Sequence, residues 1–428
     1  LIKIYNEVNI STMFQVPFQA KPFGNTNPFQ NNFAVGGGKP RGINEKPTPA
    51  SLGGTSPESI PRFMNYVADY GGCGYWRVIW PEYLLNASGK CMVHTSTCMT
   101  LDPQHYRHCK ALKIQRQASP DHYRFTKHLK EVSKEHGFKL IYEIDDIPFR
   151  EDIPDYNKYK FAFTDDEVRE NIQKIMELCD EMTVTCNFMK EYFTEKLGGK
   201  LPITVIPNCV PKFWMGNYYN RDKIERDYEK YKRKPRVVWS GSGAHIDVDR
   251  RVKGKDDFHH INDAVKKTIN DFQWVFTGAV PRELVHLVEN GKIEFHQWSE
   301  LFNYPEKIYT LNGNMMIAPL IDNNFNKSKS DLKYLEASCY GLPIACQDIC
   351  TYENAPIKFN TGDEMIDQIK TVLKDERRFI KESVTGRNFA ESRFLEKEEN
   401  IGKFFESYMF PYGSPQRKFL NTLDINKT

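Results

Sequence analysis

The sequence predicts an α/β protein of two lobes, each built on a mostly parallel sheet with helices on both faces. Three observations lead there. The chain has 428 residues, too many for one ordinary core and about right for two. From Phe63 onward, short apolar runs of strand character alternate with amphipathic stretches at helical spacing, the pattern of strand–helix–strand crossovers. The highly charged stretch 216–236 (GNYYNRDKIERDYEKYKRKPR) interrupts that alternation, which then starts afresh at VVWSG.

The elements follow in order. Residues 1–58 are rich in Asn, Pro, Gly and Phe without strand or helix periodicity. They read as an irregular arm, and Phe14, Phe18, Phe23, Phe29 and Phe33 suit an arm lying along a folded surface. The first lobe, 59–215, reads as the strand FMNYVADY, a glycine loop GGCG, a helix-compatible YWRVIWPEYLL, then the strands CMVHTSTCM and ALKIQRQ. A helix opens with Ser119 as N-cap and Pro120 at its first position and closes on Gly137. The strand FKLIYEIDD, a helix near 168–179, the strand EMTVTC, a helix near 187–197 and the strand ITVIPN complete the lobe. After a linker over 216–235, the second lobe, 236–385, reads as VVWSG, a helix near 257–270, QWVFTG, the helix PRELVHLVENG, KIEFHQW, a helix near 299–310, NMMIAPL, the helix SDLKYLEASCYG and PIACQD. Helices run on to about 408, and the tail 386–428 is long enough to cross back onto the first lobe.

Composition narrows the class. Hydrophobic residues at 40% and charged residues at 27% match an ordinary globular chain. No apolar run approaches the roughly 20 residues of a membrane span, and the first 30 residues lack a signal-peptide pattern, so the expectation is a cytoplasmic protein. The ten cysteines are scattered and form no Cys-x-x-Cys pair, which fits reduced, buried thiols and speaks against zinc. The net charge of +3 is unevenly spread: residues 1–150 hold 18 Lys+Arg against 12 Asp+Glu. Within that stretch, Arg107, Lys110, Lys113 and Arg124 are candidates for phosphate contacts to a nucleic acid, beside the plainer reading of a solvated surface.

Ligands of open parallel sheets bind beyond the C-terminal ends of the strands. Gly241, Ser242, Gly243 and His245 follow the first strand of the second lobe, as a ligand loop or a plain tight turn. The segment APLIDNNFNKSKSDLKYLEASCYGLP carries more: a loop brings Lys327, Lys329 and Ser330 to a helix bearing Lys333 and Glu336, cations and a hydroxyl for a diphosphate with a carboxylate for ribose hydroxyls. Gly278 and Trp298, at the ends of QWVFTG and KIEFHQW, complete the expected donor set. On the other lobe, Asp145 and Asp146 could hold Mg²⁺ or Mn²⁺ or cap a helix, and His94 and His245 could act as bases or merely pack.

With those residues in view, the second lobe resembles the donor domain of retaining glycosyltransferases of the GT-B fold, the glycosyl transferases group 1 type. The family's pattern PL-x-N-x-FN-x-x-KS-x-LK-x-LE, followed by GLP, is matched, with one residue more between Leu320 and Asn323, by Pro319, Leu320, Asn323, Phe325, Asn326, Lys329, Ser330, Leu332, Lys333, Leu335 and Glu336. IPNCV (206–210) is similar to the turn that ends acceptor domains, and VVWSGSGAH to the glycine loop that opens donor domains. Many members carry a second glutamate eight residues before the ribose glutamate; here that position is Ser328. The first lobe resembles a subset of these enzymes in GCGYWR, IQR and YEIDD, which implies acceptor-side roles at the cleft for Gly72, Gly74, Tyr75, Arg77 and Arg116, with His94 beside them and Asp145 and Asp146 near the chemistry.

The resemblance implies two Rossmann-like domains facing across a cleft and transfer of a hexosyl or pentosyl group, with retention, from a nucleotide sugar of the UDP type. No cofactor is expected, and a divalent metal is possible but not required. Lys327 and Lys329 would stabilise the leaving diphosphate as it helps deprotonate the incoming hydroxyl. The favoured acceptor is 5-hydroxymethylcytosine in phage duplex DNA, on the basic first lobe, the aromatic arm and a Lys/Asn/Ile/Phe-rich composition reminiscent of T-even-like phages; the host cytoplasm would then be its place. The alternative is a bacterial surface polysaccharide or lipid-linked oligosaccharide. A nucleotide-sugar epimerase or a non-catalytic sugar-nucleotide binder would use the same fold for other ends.

Overall fold

The structure, a computed structural model, describes residues 60–163, 166–247 and 255–425. The expected arm over 1–58, with its five phenylalanines, lies outside the described residues. Twelve strands form two sheets. The first holds β1 (Arg62–Tyr66), β2 (Met92–Ser96), β3 (Cys109–Gln115), β4 (Lys139–Glu143), β5 (Glu181–Val184) and β6 (Ile203–Val205) in the order β2-β1-β3-β4-β5-β6. The second holds β7 (Arg236–Gly241), β8 (Gln273–Gly278), β9 (Glu294–Gln297), β10 (Met315–Ala318), β11 (Ile344–Gln347) and β12 (Ile357–Phe359) in the order β12-β11-β10-β7-β8-β9. Every pairing is parallel. Strand order reverses between β1 and β3 in one sheet and between β7 and β10 in the other, which opens a crevice beyond the C-terminal ends of those strands.

Local chemistry explains most of the elements. Helix Pro120–His136 begins where the Ser119 side chain accepts from the His122 backbone, and ends at Gly137, whose φ of 74° only glycine adopts freely. The GGCG segment is a helix start rather than a separate loop. Helix Gly72–Gly74 runs through a π-helical turn, Tyr75–Ile79, into helix Trp80–Ala87, and Pro81 sits in the first turn of that last piece, where its missing N–H costs nothing. A Cβ on Gly74 would stand 1.9 Å from the Asp69 carbonyl oxygen, so the helix can abut the end of β1 only through glycine. The charged stretch read as a linker contains helix Arg221–Tyr231, which buries Ile224 and Tyr228 in the second core and donates from the Tyr228 hydroxyl to the Leu373 carbonyl at 3.0 Å. Strand β12 falls where the sequence predicts only helices.

Three apolar clusters fill the molecule. One lies within the first lobe and one within the second. The third crosses between them, with Phe63 and Trp76 from the first lobe, Val238 and Tyr334 from the second, and Phe404 and Tyr408 from helix Glu398–Met409. Trp76, Trp80 and Trp214 pack edge to face or tilted at its centre, with Trp80 and Trp214 4.3 Å apart. The C-terminal helices are fastened to the first lobe: Tyr408 stacks on Phe63 at 4.9 Å and donates to Asn65 at 2.6 Å, and Arg417 grips Glu181 at 2.5 and 2.7 Å.

Two residues expected at the surface are inside. Arg77 is fully buried and does not face the cleft: its guanidinium meets both Glu143 oxygens (2.8 and 3.4 Å), the Ile206 carbonyl (2.6 Å) and the Asn208 side-chain oxygen (3.0 Å). Lys113 is equally buried, 3.9 Å from Glu143 and over the Tyr408 ring at 4.4 Å, so it cannot reach a nucleic-acid phosphate. Burial pushes its pKa down to about 8. Central strands of parallel sheets are covered on both faces, so a charge placed in mid-strand is buried with a partner or not at all. Replacing Arg77 with Met strands the Glu143 carboxylate and is expected to lower stability by about 3–5 kcal/mol, the cost of halving a buried pair. Urea denaturation of the variant checks this, and a loss under about 1 kcal/mol would contradict it.

Candidate functional site

At the crevice of the second lobe, the loop after β10 carries helix Asn324–Lys327 and then helix Leu332–Tyr340. Glu336 lies on the latter with only 5% of its surface exposed, accepting from the Tyr304 hydroxyl at 2.8 Å and from Lys333 at 2.9 Å. Tyr304 also meets the Ser240 hydroxyl at the end of β7, at 3.1 Å. Burial opposes a charge on Lys333, but Glu336 and Tyr304 outweigh it and hold the ammonium above its ordinary pKa. Lys333, Glu336, Tyr304 and Ser240 therefore form one satisfied polar cluster at the β7/β10 switch point.

The glycines serve close approach. Gly241 and Gly278 end β7 and β8 side by side, and a Cβ on Gly278 would meet the Gly241 carbonyl at 2.4 Å and the Trp298 ring at 2.8 Å. Gly278 also has a φ of 93°. Trp298 is 63% exposed over this edge. Ser242 accepts from the Ala244 backbone at 3.2 Å, and Gly243 lies against the Lys158 side chain of the first lobe.

His245 is held by a residue the sequence reading did not single out. Its Nδ1 is 2.9 Å from Asp257, a fully buried carboxylate that also takes the Tyr156 hydroxyl at 2.8 Å, the Ile321 backbone N–H at 3.0 Å and the Asn326 amide at 2.7 Å. Burial, reinforced by Lys329 and Lys333, lowers the His245 pKa against the opposing pull of Asp257. The adjacent acids Asp256 and Asp257 were the available sign in the sequence, a paired carboxylate in an otherwise basic stretch.

The lobes meet through this region. Lys329 reaches Asp146 at 3.8 Å and lies over the Phe325 ring at 4.3 Å. Ser330 accepts from Asn208 at 2.9 Å, and Asn208 is the residue that Arg77 holds. Arg393 grips both the Asn208 carbonyl and Asp331. The IPNCV turn is thus a strut between lobes, and Arg77 acts on the cleft only through it. Lys327 is turned to Asp322 at 2.6 Å. Ser328 is buried, with its hydroxyl on the Phe325 carbonyl at 2.7 Å, so no carboxylate stands at that position.

On the first lobe, Arg116 ends β3 with a φ of 51°, a left-handed conformation that a non-glycine residue keeps only under constraint, and its guanidinium is 3.6 Å from Asp145. Burial and the neighbouring Asp145 raise the Asp146 pKa, and Lys329 opposes them. Tyr75 touches the exposed Phe302 ring of the other lobe at 5.2 Å, while Gly72 has open space around it. His94 departs from expectation: it is exposed in the middle of β2, an edge strand, and not at a strand end. Arg107 and Lys110 are exposed at the start of β3, the end opposite Arg116, and Arg124 pairs with Asp121 within its own helix. Among the described residues no three His, Cys, Asp or Glu side chains are grouped to hold a metal ion, and no helix is long and apolar enough to cross a membrane. All ten cysteines are free thiols, of which Cys98 and Cys350 are exposed.

Two parallel, helix-covered sheets facing across such a crevice define the GT-B architecture. Solved structures with it include sucrose-phosphate synthase from Thermosynechococcus elongatus (13% identity, 81% of this chain and 98% of that one, TM-score 0.56) and a glycosyltransferase from Rickettsia africae (13%, 83% and 100%, 0.53). The Anabaena protein HepE in complex with UDP-glucose is similar to the same degree (12%, 81% and 99%, 0.52). No family model matches the sequence, and no curated protein does. The salt link between lobes gives a direct test of the electrostatics: Lys329→Met should raise the Asp146 pKa further, because a cation that favours the carboxylate is gone. Carboxyl-carbon NMR titration reads it, and an unmoved or lowered pKa would contradict the pairing.

Proposed function

We propose that this chain is a glycosyltransferase that takes a sugar from a UDP-sugar and transfers it, with retention, to a hydroxyl acceptor. The observation that carries the reading is the cluster of Lys333, Glu336, Tyr304 and Ser240 at the β7/β10 switch point, with Lys329 and the Gly241–Gly243 backbone beside it. Cations and close backbone suit a diphosphate, and a buried carboxylate one turn deeper suits ribose hydroxyls. The likeness to HepE, solved with UDP-glucose, supports uracil as the base. Lys329 meets the charge that grows on the leaving diphosphate, and the diphosphate accepts the proton of the incoming hydroxyl on the same face. Lobe contacts through Asn208, Ser330, Asp146 and Lys329 exclude water from the bound donor.

The acceptor side favours a neutral carbohydrate hydroxyl over duplex DNA. Of the four basic residues first assigned to phosphates, Lys113 is buried, Lys110 stands about 20 Å along β3 from the cleft end, at roughly 3.3 Å per residue, and Arg107 lies before the strand begins. The edge that faces the donor carries Asp69, Asp145 and Asp146, with the exposed ring of Tyr70 beside it, a surface that suits sugar hydroxyls and pyranose faces and repels a polyanion. The test is release of UDP from a panel of UDP-sugars, with radiolabelled sugar followed into oligosaccharides and into hydroxymethylated duplex DNA. Labelled oligosaccharide with acceptor-dependent UDP release is expected. Label in the DNA alone would restore the nucleic-acid reading, and turnover of donor without any acceptor would point to an epimerase.

A further inference from the structure

We propose that His245 and Asp257 form a proton-linked clamp for the donor's diphosphate, with Asp257 as the positioning residue and His245 as the group that gains a proton when the anion arrives. The inference rests on the nucleotide-sugar reading of the cleft and goes beyond it.

The geometry fixes the tautomer. One oxygen of Asp257, Oδ1, accepts from the Tyr156 hydroxyl, the Ile321 N–H and the Asn326 amide, and the other, Oδ2, faces His245 Nδ1 at 2.9 Å. A carboxylate filled with donors has only acceptance to offer the imidazole, so Nδ1 carries a hydrogen and Nε2 is the nitrogen left to meet a ligand. The ring sits in the loop after β7, at the switch point where phosphates bind in such folds.

The charges around the ring make it responsive. Burial opposes the imidazolium most, Asp257 favours it, and Lys329 and Lys333 oppose it, so the pKa of the ring lies below its ordinary value. His245 in turn acts on Asp146 across the cleft. Asp247 and Asp256 lie in the same loop, joined through the Asp247 backbone at 3.0 Å, and Lys158 of the first lobe approaches at Gly243. A diphosphate seated against Lys329 offsets that lysine's charge and brings its own negative charge beside the ring, and both favour the imidazolium. The proton then comes from solvent onto Nε2, no bond of the donor is made or broken, and the gained charge pairs with a phosphate oxygen. Tyr156 belongs to the first lobe and shares the Asp257 oxygen with Asn326 of the second, so the clamp is complete only with the lobes together.

Calorimetric titration with UDP at pH 7, in buffers of different ionisation enthalpy, counts protons taken up per UDP bound. The intact protein is expected to take up a substantial fraction of a proton more than His245→Gln, which should still bind UDP about tenfold more weakly, the loss of a charge-assisted hydrogen bond. Asp257→Asn should lower the uptake in the same direction by removing the carboxylate that favours the imidazolium. If that buried substitution fails to fold, His245→Gln alone decides. UDP binding with the same proton count in the intact protein and in His245→Gln would overturn the clamp and leave the nucleotide-sugar reading standing. No UDP binding by the folded, intact protein would overturn both.

Discussion

All twelve strands run parallel within their sheets, and the location of the chemistry depends on that constraint. Parallel strands need crossover helices, the helices cover both faces, and ligands of such sheets bind in the loops past the C-terminal strand ends. In this chain those loops hold Arg116 and the Asp145–Asp146 pair on one lobe, and Ser240 to His245 with Lys329 to Glu336 on the other. The opposite strand ends carry charges too, with Arg107 and Lys110 exposed there.

Polar struts hold the facing edges at a working distance. Arg77 is spent on Glu143 and on Asn208, Asn208 holds Ser330, and Arg393 closes the same turn from the C-terminal side. Asp257 does the equivalent work near the donor loop with Tyr156 and Asn326. Buried polar networks of this kind contribute little net stability against an apolar replacement, yet losing one partner is costly, so they specify one arrangement of the lobes. The cross-lobe apolar cluster around Trp76, Trp80 and Trp214 supplies the adhesive. The C-terminal segment is tied to the first lobe through Tyr408, in helix Glu398–Met409, and through Arg417.

Much of this was legible in the sequence because local and global preferences agree. Ser119, Pro120 and Gly137 mark a helix by backbone chemistry alone, and the strand runs of both lobes stand out by apolar content. The loop and helix from Asn323 to Glu336 raised the expectation of a phosphate and ribose site because cations, hydroxyls and a carboxylate crowd one strand end, and the structure gathers Lys333 and Glu336 with Tyr304 and Ser240 at that end. What was hidden needed tertiary information. Strand β12 has three residues, too few for any period. Helix Arg221–Tyr231 looks like a charged linker because only Ile224 and Tyr228 mark its buried face. Lys113 reads as one of a run of surface bases, although its neighbours Leu112 and Ile114 already imply a strand covered on both sides. For Asp257 the only local sign is the adjacent Asp256, since its partners Tyr156, His245, Ile321 and Asn326 come from other segments of the chain.

The central claim is that a nucleoside diphosphate binds at the β7/β10 switch point. Amide hydrogen exchange with and without saturating UDP tests it most directly, because bound ligand slows exchange where backbone is held. Protection confined to residues 240–247 and 319–336, with a smaller effect at the facing turn 206–210, is the expected result. Protection elsewhere with those segments unchanged would contradict the account.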